Sequence, residues 1–221
     1  MRTYAIGDIH GMCDLLREAL AWIAQDAGNE PCRVVFLGDY VDRGPSSRQV
    51  VETLMRGAER QEWVCLKGNH DDFMARALAG NESARELWMV NGGPATLRSY
   101  GDDERTLHAH AKWLSERPHR FEDEHRHYVH GGFSPRRPIA EQDPDTWLWI
   151  KMERFEDDPI FDKKVIHGHV ANERPEVTRG CINLDTGACF WGRLTVARWL
   201  ADERVPHFEF FDTAARRAEA A

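Results

Sequence analysis

Short apolar runs recur along the first third of the chain, and each runs into a motif opened by a glycine and followed by polar residues. Thr3-Tyr4-Ala5-Ile6 meets Gly7-Asp8-Ile9-His10-Gly11. Val34-Val35-Phe36-Leu37 meets Gly38-Asp39-Tyr40-Val41-Asp42-Arg43-Gly44, and Trp63-Val64-Cys65-Leu66 leads to Gly68-Asn69-His70-Asp71. Runs this short and this rich in β-branched and aromatic residues read as buried strands. Helical spacing fills the gaps between them. Leu15, Leu16, Ala19, Leu20, Ile23 and Ala24 predict a first helix, stopped by Gly28-Asn29. Val50, Val51, Leu54 and Met55 predict a second, with Ser46 or Ser47 as its cap. Strand, polar motif and helix repeated three times predict a parallel βαβ core, with the motifs along one edge.

From residue 72 to about 126 the spacing turns mostly helical, as in an insertion or cap over the core. Strand patterns return at Arg126–Val129, ending at His130-Gly131-Gly132, and at Lys164–His167, ending at Gly168-His169. Cys181–Asp185, Leu194–Leu200 and His207–Phe211 alternate like antiparallel strands. No repeat or low-complexity linker divides the chain. One domain over residues 1–212 is therefore expected, with an Ala/Arg/Glu-rich tail at 213–221.

Composition narrows the function classes. In 221 residues, 42% hydrophobic and 30% charged content is ordinary for a globular domain, and the net charge is −8 with a pI near 5.8. Such a balance argues against broad electrostatic binding to nucleic acid or to anionic membrane. Five scattered cysteines without a C-x-x-C pair read as reduced thiols. With no membrane-length apolar run, and a strand starting near Met1, the expected location is cytoplasmic.

Five strand ends thus present Asp8, His10, Asp39, Asn69, His130 and His169. Carboxylate and imidazole donors suit divalent ions such as Mn²⁺, Fe²⁺ or Zn²⁺, and one carboxylate such as Asp39 can bridge two of them. Two such ions hold a phosphate and acidify a water, which is a recipe for phosphate-ester hydrolysis by hydroxide. His70 is placed to protonate the leaving oxygen and Asp42 to orient it, while Arg43 offers a planar fork to phosphate oxygens. The remaining histidines, His108, His110, His119, His125 and His127, read as solvated surface. His167 and His169 lie two apart on a strand, so either could face the site.

These five motifs resemble the signatures of the metallophosphoesterases, in particular the phosphoprotein phosphatase branch. The resemblance implies an α/β/β/α sandwich of two mixed sheets flanked by helices. It also implies one metal on Asp8, His10 and Asp39, and a second on Asp39, Asn69, His130 and His169. By the same resemblance His70 and Asp42 form an acid dyad and Arg43 binds phosphate. Related nucleases carry Gly-His-x-His in the last motif; here Ala171 stands at the second position, which makes His169 the ligand.

Two substrate classes follow from the resemblance. Asp42 favours phosphomonoesters of the phosphoserine and phosphothreonine type. Asp71 is closer to the symmetrical diadenosine tetraphosphate hydrolases, and a non-catalytic phosphate-binding scaffold is the third reading. The phosphatases carry a phosphate-gripping arginine in a Trp-containing segment. Here the matching stretch is Leu148-Trp149-Ile150-Lys151, so Lys151 takes that place, with Arg154 as the alternative if the segment is helical.

Overall fold

The computed structural model describes residues 1–59, 61–152, 161–201 and 203–213. The first sheet contains β1 (Arg2–Ile6), β2 (Cys32–Phe36), β3 (Trp63–Cys65), β9 (Arg193–Trp199) and β10 (His207–Asp212), in the order β10-β9-β1-β2-β3. The second contains β4 (Arg120–Glu122), β5 (Arg126–Val129), β6 (Lys164–His167), β7 (Glu176–Val177) and β8 (Cys181–Asn183), in the order β4-β5-β6-β8-β7. Helices α1 (Cys13–Ala27) and α2 (Ser47–Ala58) follow β1 and β2. Four more, α3 (Asn69–Leu78), α4 (Glu82–Val90), α5 (Gly93–Tyr100) and α6 (Glu104–Ser115), form the block between β3 and β4. Two short helices complete the set, α7 (Pro144–Trp149) and α8 (Ala188–Trp191).

Alternation along the strands explains the layers. Ala5, Val35, Leu37 and Leu66 of the first sheet meet Tyr128, Ile166, Ile182 and Leu184 of the second in an apolar seam. The opposite side chains, Tyr4, Ile6, Val34 and Phe36, pack against Leu15, Leu16, Val50, Val51 and Leu54 of α1 and α2. Each such fully buried aliphatic or aromatic side chain contributes roughly 1.5–3 kcal/mol. The result is two mixed sheets, face to face, flanked by helices.

The parallel pairs β1–β2 and β2–β3 match the expected βαβ core, and β5–β6, in the second sheet, adds a third parallel pair. One strand departs from expectation. β8 lies parallel to β6, with Val165 opposite Cys181 and His167 opposite Asn183, and pairs antiparallel only with the two-residue β7. All three of its residues are buried, so alternation carried no signal of its direction. The edge strand β4 also lay outside the expected elements. Residues 153–160, including Arg154, and the tail from 214 lie outside the described residues.

Candidate active site

Parallel strands deliver their carboxyl ends to one edge, and both sheets do so on the same side. Asp8 and His10 follow β1, and Asp39 follows β2. Asn69 and His70 open α3 after β3, His130 follows β5, and His169 follows β6. All seven side chains converge. Asp8, His10, Asp39, Asn69, His70 and His130 are at most 3% exposed, and His169 is partly buried.

The backbone carries strain to achieve this. Among the described residues, the non-glycine residues with positive φ are His10, Asp39, Asp42, Arg43 and His169, at 44°, 53°, 74°, 68° and 70°. Each such conformation costs on the order of 1–3 kcal/mol and persists where surroundings enforce it. The enforcement is visible: Ile9 and His10 N–H both donate to the Asp39 carbonyl, and Gly44 N–H donates to that of His10. Two glycines let backbone close onto the carboxylates. A Cβ on Gly168 would lie 2.0 Å from Asp8 Oδ1, and one on Gly68 would lie 2.1 Å from Asp39 Oδ1.

Tautomers follow from the hydrogen bonds. His10 Nδ1 donates to the Val41 carbonyl at 2.8 Å and His130 Nδ1 to that of Leu37 at 2.9 Å. Their Nε2 lone pairs therefore face inward. His10 Nε2 lies 3.4 Å from Asp39 Oδ2, and His130 Nε2 lies 3.4 Å from Asp39 Oδ1. Asp39 thus turns one oxygen to each imidazole. His130 Nε2 also faces Asn69 Oδ1 at 2.8 Å, an oxygen that His169 Nδ1 approaches to 3.1 Å. Acceptors converging on acceptors is an arrangement that divalent cations relieve. Donor atoms of Asp8, Asp39 and His130, and those of His10, Asp39 and His70, lie within 4.8 Å of one another in each group. The donor set fits metal ions.

Electrostatics agree. Burial pushes His10 and His169 down to about 3 and lowers His130, leaving the neutral imidazoles that bind metal. Burial raises Asp8 well above its ordinary value, with Asp185 and Asp39 adding to it. Burial opposes ionisation of Asp39 too, yet His130, His70 and His10 hold its carboxyl below the usual range.

A second layer holds the acid-base pair. His70 Nδ1 donates to Asp42 Oδ2 at 2.7 Å, while Arg43 donates to His70 Nε2 at 2.8 Å and to His10 Nε2 at 2.7 Å. Burial alone would lower His70, but Asp39 and Asp42 outweigh it and raise it above 6.5. Asp42 is fully buried; its Oδ1 accepts from Trp88 Nε1 at 2.8 Å and from the Thr96 hydroxyl at 2.7 Å. Asp71 accepts from the N–H groups of Gly68, Asp39 and Tyr40 at 2.9–3.0 Å, tying two motifs together.

Several residues in these contacts lay outside the sequence reading. Trp88 and Thr96 come from the helical block, with nothing in their local pattern to distinguish them from core residues. Ser47, read as a helix cap, instead accepts from Asp42 N–H at 3.1 Å, and the Ser46 side chain makes no cap bond. Asp185, at the end of β8, packs against Asp8 and is pushed up to about 6, chiefly by burial. Two of the five histidines expected at the surface are buried. His110 bonds Tyr100 Oη at 2.7 Å, and His127 is 5% exposed beneath Phe133. His167, also buried, faces the Gly168 carbonyl and stands outside the donor groups. Lys151 is exposed, and α7 stops at Trp149 because Ile150 is extended, with ψ 131°.

Comparison with known proteins places this geometry. The family model for calcineurin-like phosphoesterases matches residues 1–207. The asymmetrical bis(5′-nucleosyl)-tetraphosphatase PrpE of Anoxybacillus flavithermus is 27% identical, over 90% of this chain and 91% of that protein. Serine/threonine-protein phosphatase 1 of Salmonella typhimurium is 27% identical, over 89% of this chain and 91% of its own length. Among solved structures, a protein serine/threonine phosphatase from Saccharomyces cerevisiae superposes with a TM-score of 0.70 at 14% identity, covering 96% of this chain and 80% of that one. A metallophosphoesterase from Sphaerobacter thermophilus gives 0.61 at 23% identity, covering 100% and 94%. Since the family match runs through every strand-end motif, the chain belongs to the calcineurin-like phosphoesterases and is a metal-dependent phosphoester hydrolase.

Proposed function

We propose that the chain hydrolyses phosphomonoesters, phosphoserine and phosphothreonine substrates among them, by direct attack of water on phosphorus at two divalent ions. Asp8, His10 and Asp39 would hold one ion, and Asp39, Asn69, His130 and His169 the other, with Mn²⁺ the first choice and Fe or Zn alternatives. When bound, the ions supply charge neutralisation and an acidified water. The protein's own groups do the rest. Arg43 orients phosphate oxygens with its planar fork. His70, its Nδ1–H held by Asp42, takes a second proton on Nε2 once Arg43 turns from that nitrogen to phosphate, and delivers it as the ester bond breaks. The observation that carries this reading is the His70–Asp42 contact at 2.7 Å with Arg43 beside it, since an acid and a phosphate fork meet at one point. Residues 1–212, including the helical block, are taken as one catalytic domain. Cytoplasmic placement is part of this proposal; separately, no helix among the described residues is long and apolar enough to cross a membrane.

The names of the relatives favour a second reading, hydrolysis of bis(5′-nucleosyl) tetraphosphates. The motif resemblance suggests symmetrical cleavage, whereas those relatives are named for asymmetrical cleavage; analysis of the nucleotide products separates the two. The decisive experiment is turnover of a phosphopeptide and of diadenosine tetraphosphate by the Mn²⁺-loaded protein, before and after chelation. Full activity in the chelated, metal-free protein would sink the two-metal reading.

A further inference from the structure

The mouth of the site carries two large aromatic side chains that the chemistry above does not use. Phe190 and Trp191, on α8, are 58% and 51% exposed. Neighbouring rings left this open, on a chain with 30% charged residues, need a reason. Their ring centroids are 6.1 Å apart.

Both rings are held in place. Gly187 and Gly192 bracket α8 in left-handed conformation, at φ 69° and 73°, which lets the chain turn sharply at both ends of this single-turn helix. The indole lies against Gly187 so closely that a Cβ there would be 2.2 Å from Trp191 Cε3. Phe190 covers the Arg43 guanidinium, with Cζ 5.0 Å from the ring centroid, while the nitrogens of that guanidinium bond His10 and His70. An apolar ledge of two rings, tilted 57° to each other, therefore stands beside the phosphate fork, with Phe190 directly on Arg43.

We propose that Phe190 and Trp191 form a subsite for the planar base of a nucleoside whose phosphate chain is held at Arg43. The proposal rests on the assignment of Arg43 to substrate phosphate and deepens the second reading above, hydrolysis of bis(5′-nucleosyl) tetraphosphates. A base stacks on any aromatic face, and Arg43 at the inner end of the ledge supplies the charge its phosphates need. A phosphoserine brings no ring to this surface.

The test is calorimetric titration of the Mn²⁺-loaded protein with adenosine diphosphate and with pyrophosphate. Wild type should bind adenosine diphosphate more tightly, by a factor between about 5 and 150, the range that stacking one base gives. Trp191→Ala should remove most of that preference and change the pyrophosphate Kd less than twofold. Trp191→Leu keeps apolar cover on Gly187 but lacks a π-face, so it should behave like the alanine variant. Equal affinities in wild type, equal weakening of both ligands in the variants, or a preference that survives in Trp191→Leu would each overturn the subsite. Arg43→Ala should weaken both ligands. If it does so while the Trp191 variants change nothing, the base subsite alone falls; if it weakens neither, the phosphate assignment falls with it.

Discussion

The two flanks of the metal cleft are built to different standards. On one flank Arg43 lies under Phe190 and adjoins an Asp42 that is 0% exposed and held by Trp88 and Thr96. On the other flank stands Lys151, exposed, two residues past the end of α7, with no hydrogen-bond or ion-pair partner among the described residues. Its neighbour Trp149 is 43% exposed, with ring contacts to Phe73 at 5.0 Å and His169 at 5.9 Å. The first flank spent its ordering entropy in folding; the second would spend it on binding. Pre-organised groups act on the transition state, whereas an exposed cation acts mainly on affinity. Changes on the two flanks should therefore separate into kcat and KM effects.

Substitutions at five residues probe that contrast, from the largest expected effect downward. Asp39→Asn removes the carboxylate shared by both donor groups. It should lower kcat/KM by about 10³-fold or more, the scale of several kcal/mol of metal catalysis, and reduce bound metal measured by elemental analysis. Retention of two ions with wild-type turnover would remove Asp39 from the bridging position.

Next is His70→Asn, expected to lower kcat by roughly 10²–10⁴-fold on alkyl phosphates and less on p-nitrophenyl phosphate, whose leaving group needs little protonation. The pH profile adds a sign. Asp39 and Asp42 outweigh the burial of His70 and raise it above the ordinary histidine range, so its acid form persists at low pH and is lost only as pH rises past that range. Asp42→Asn should accordingly move the alkaline limb of kcat to lower pH. An unmoved limb, or equal losses on aryl and alkyl esters, would take His70 out of the acid role.

Trp88→Phe keeps most of the buried ring but deletes the N–H that holds Asp42 Oδ1. Losing such an outer contact should lower kcat about 10-fold with little change in KM, and lower Tm. A pure KM effect would show that the helical block touches substrate and does not merely position the dyad.

The smallest effect belongs to the open flank. Lys151→Ala should raise KM by about 2- to 10-fold, with kcat nearly unchanged, as expected for one exposed charge. Lys151→Arg should restore or improve affinity through its planar fork. If the alanine variant alters kcat/KM by less than twofold, this flank is no phosphate clamp.

The fold was legible because its signals are local. Apolar runs ending in glycine marked the strands β1, β2, β3, β5 and β6, and helical spacing marked α1 and α2. The sequence by itself also determined the donor chemistry: carboxylates, imidazoles and an amide at successive strand ends, with His70, Asp42 and Arg43 beside them. Those residues are named by position in short motifs, and the parallel connection of the strands suffices to bring them to one edge.

What only the tertiary structure decided depends on contacts between distant segments. The direction of β8 is set by its pairing with β6, and a strand buried on both faces does not announce direction in its pattern. Misreading it as antiparallel hid a sixth strand end, and with it Asp185 beside Asp8. Trp88 and Thr96 became partners of Asp42 across 46 and 54 residues, from helices whose apolar spacing looks like any core-facing stripe. His110 and His127 were drawn inside, the first against Tyr100 and the second beneath Phe133. Motifs encode which atoms can do chemistry. Which buried neighbour orients each atom is a matter of packing, and packing is a property of the assembled chain, not of any stretch of it.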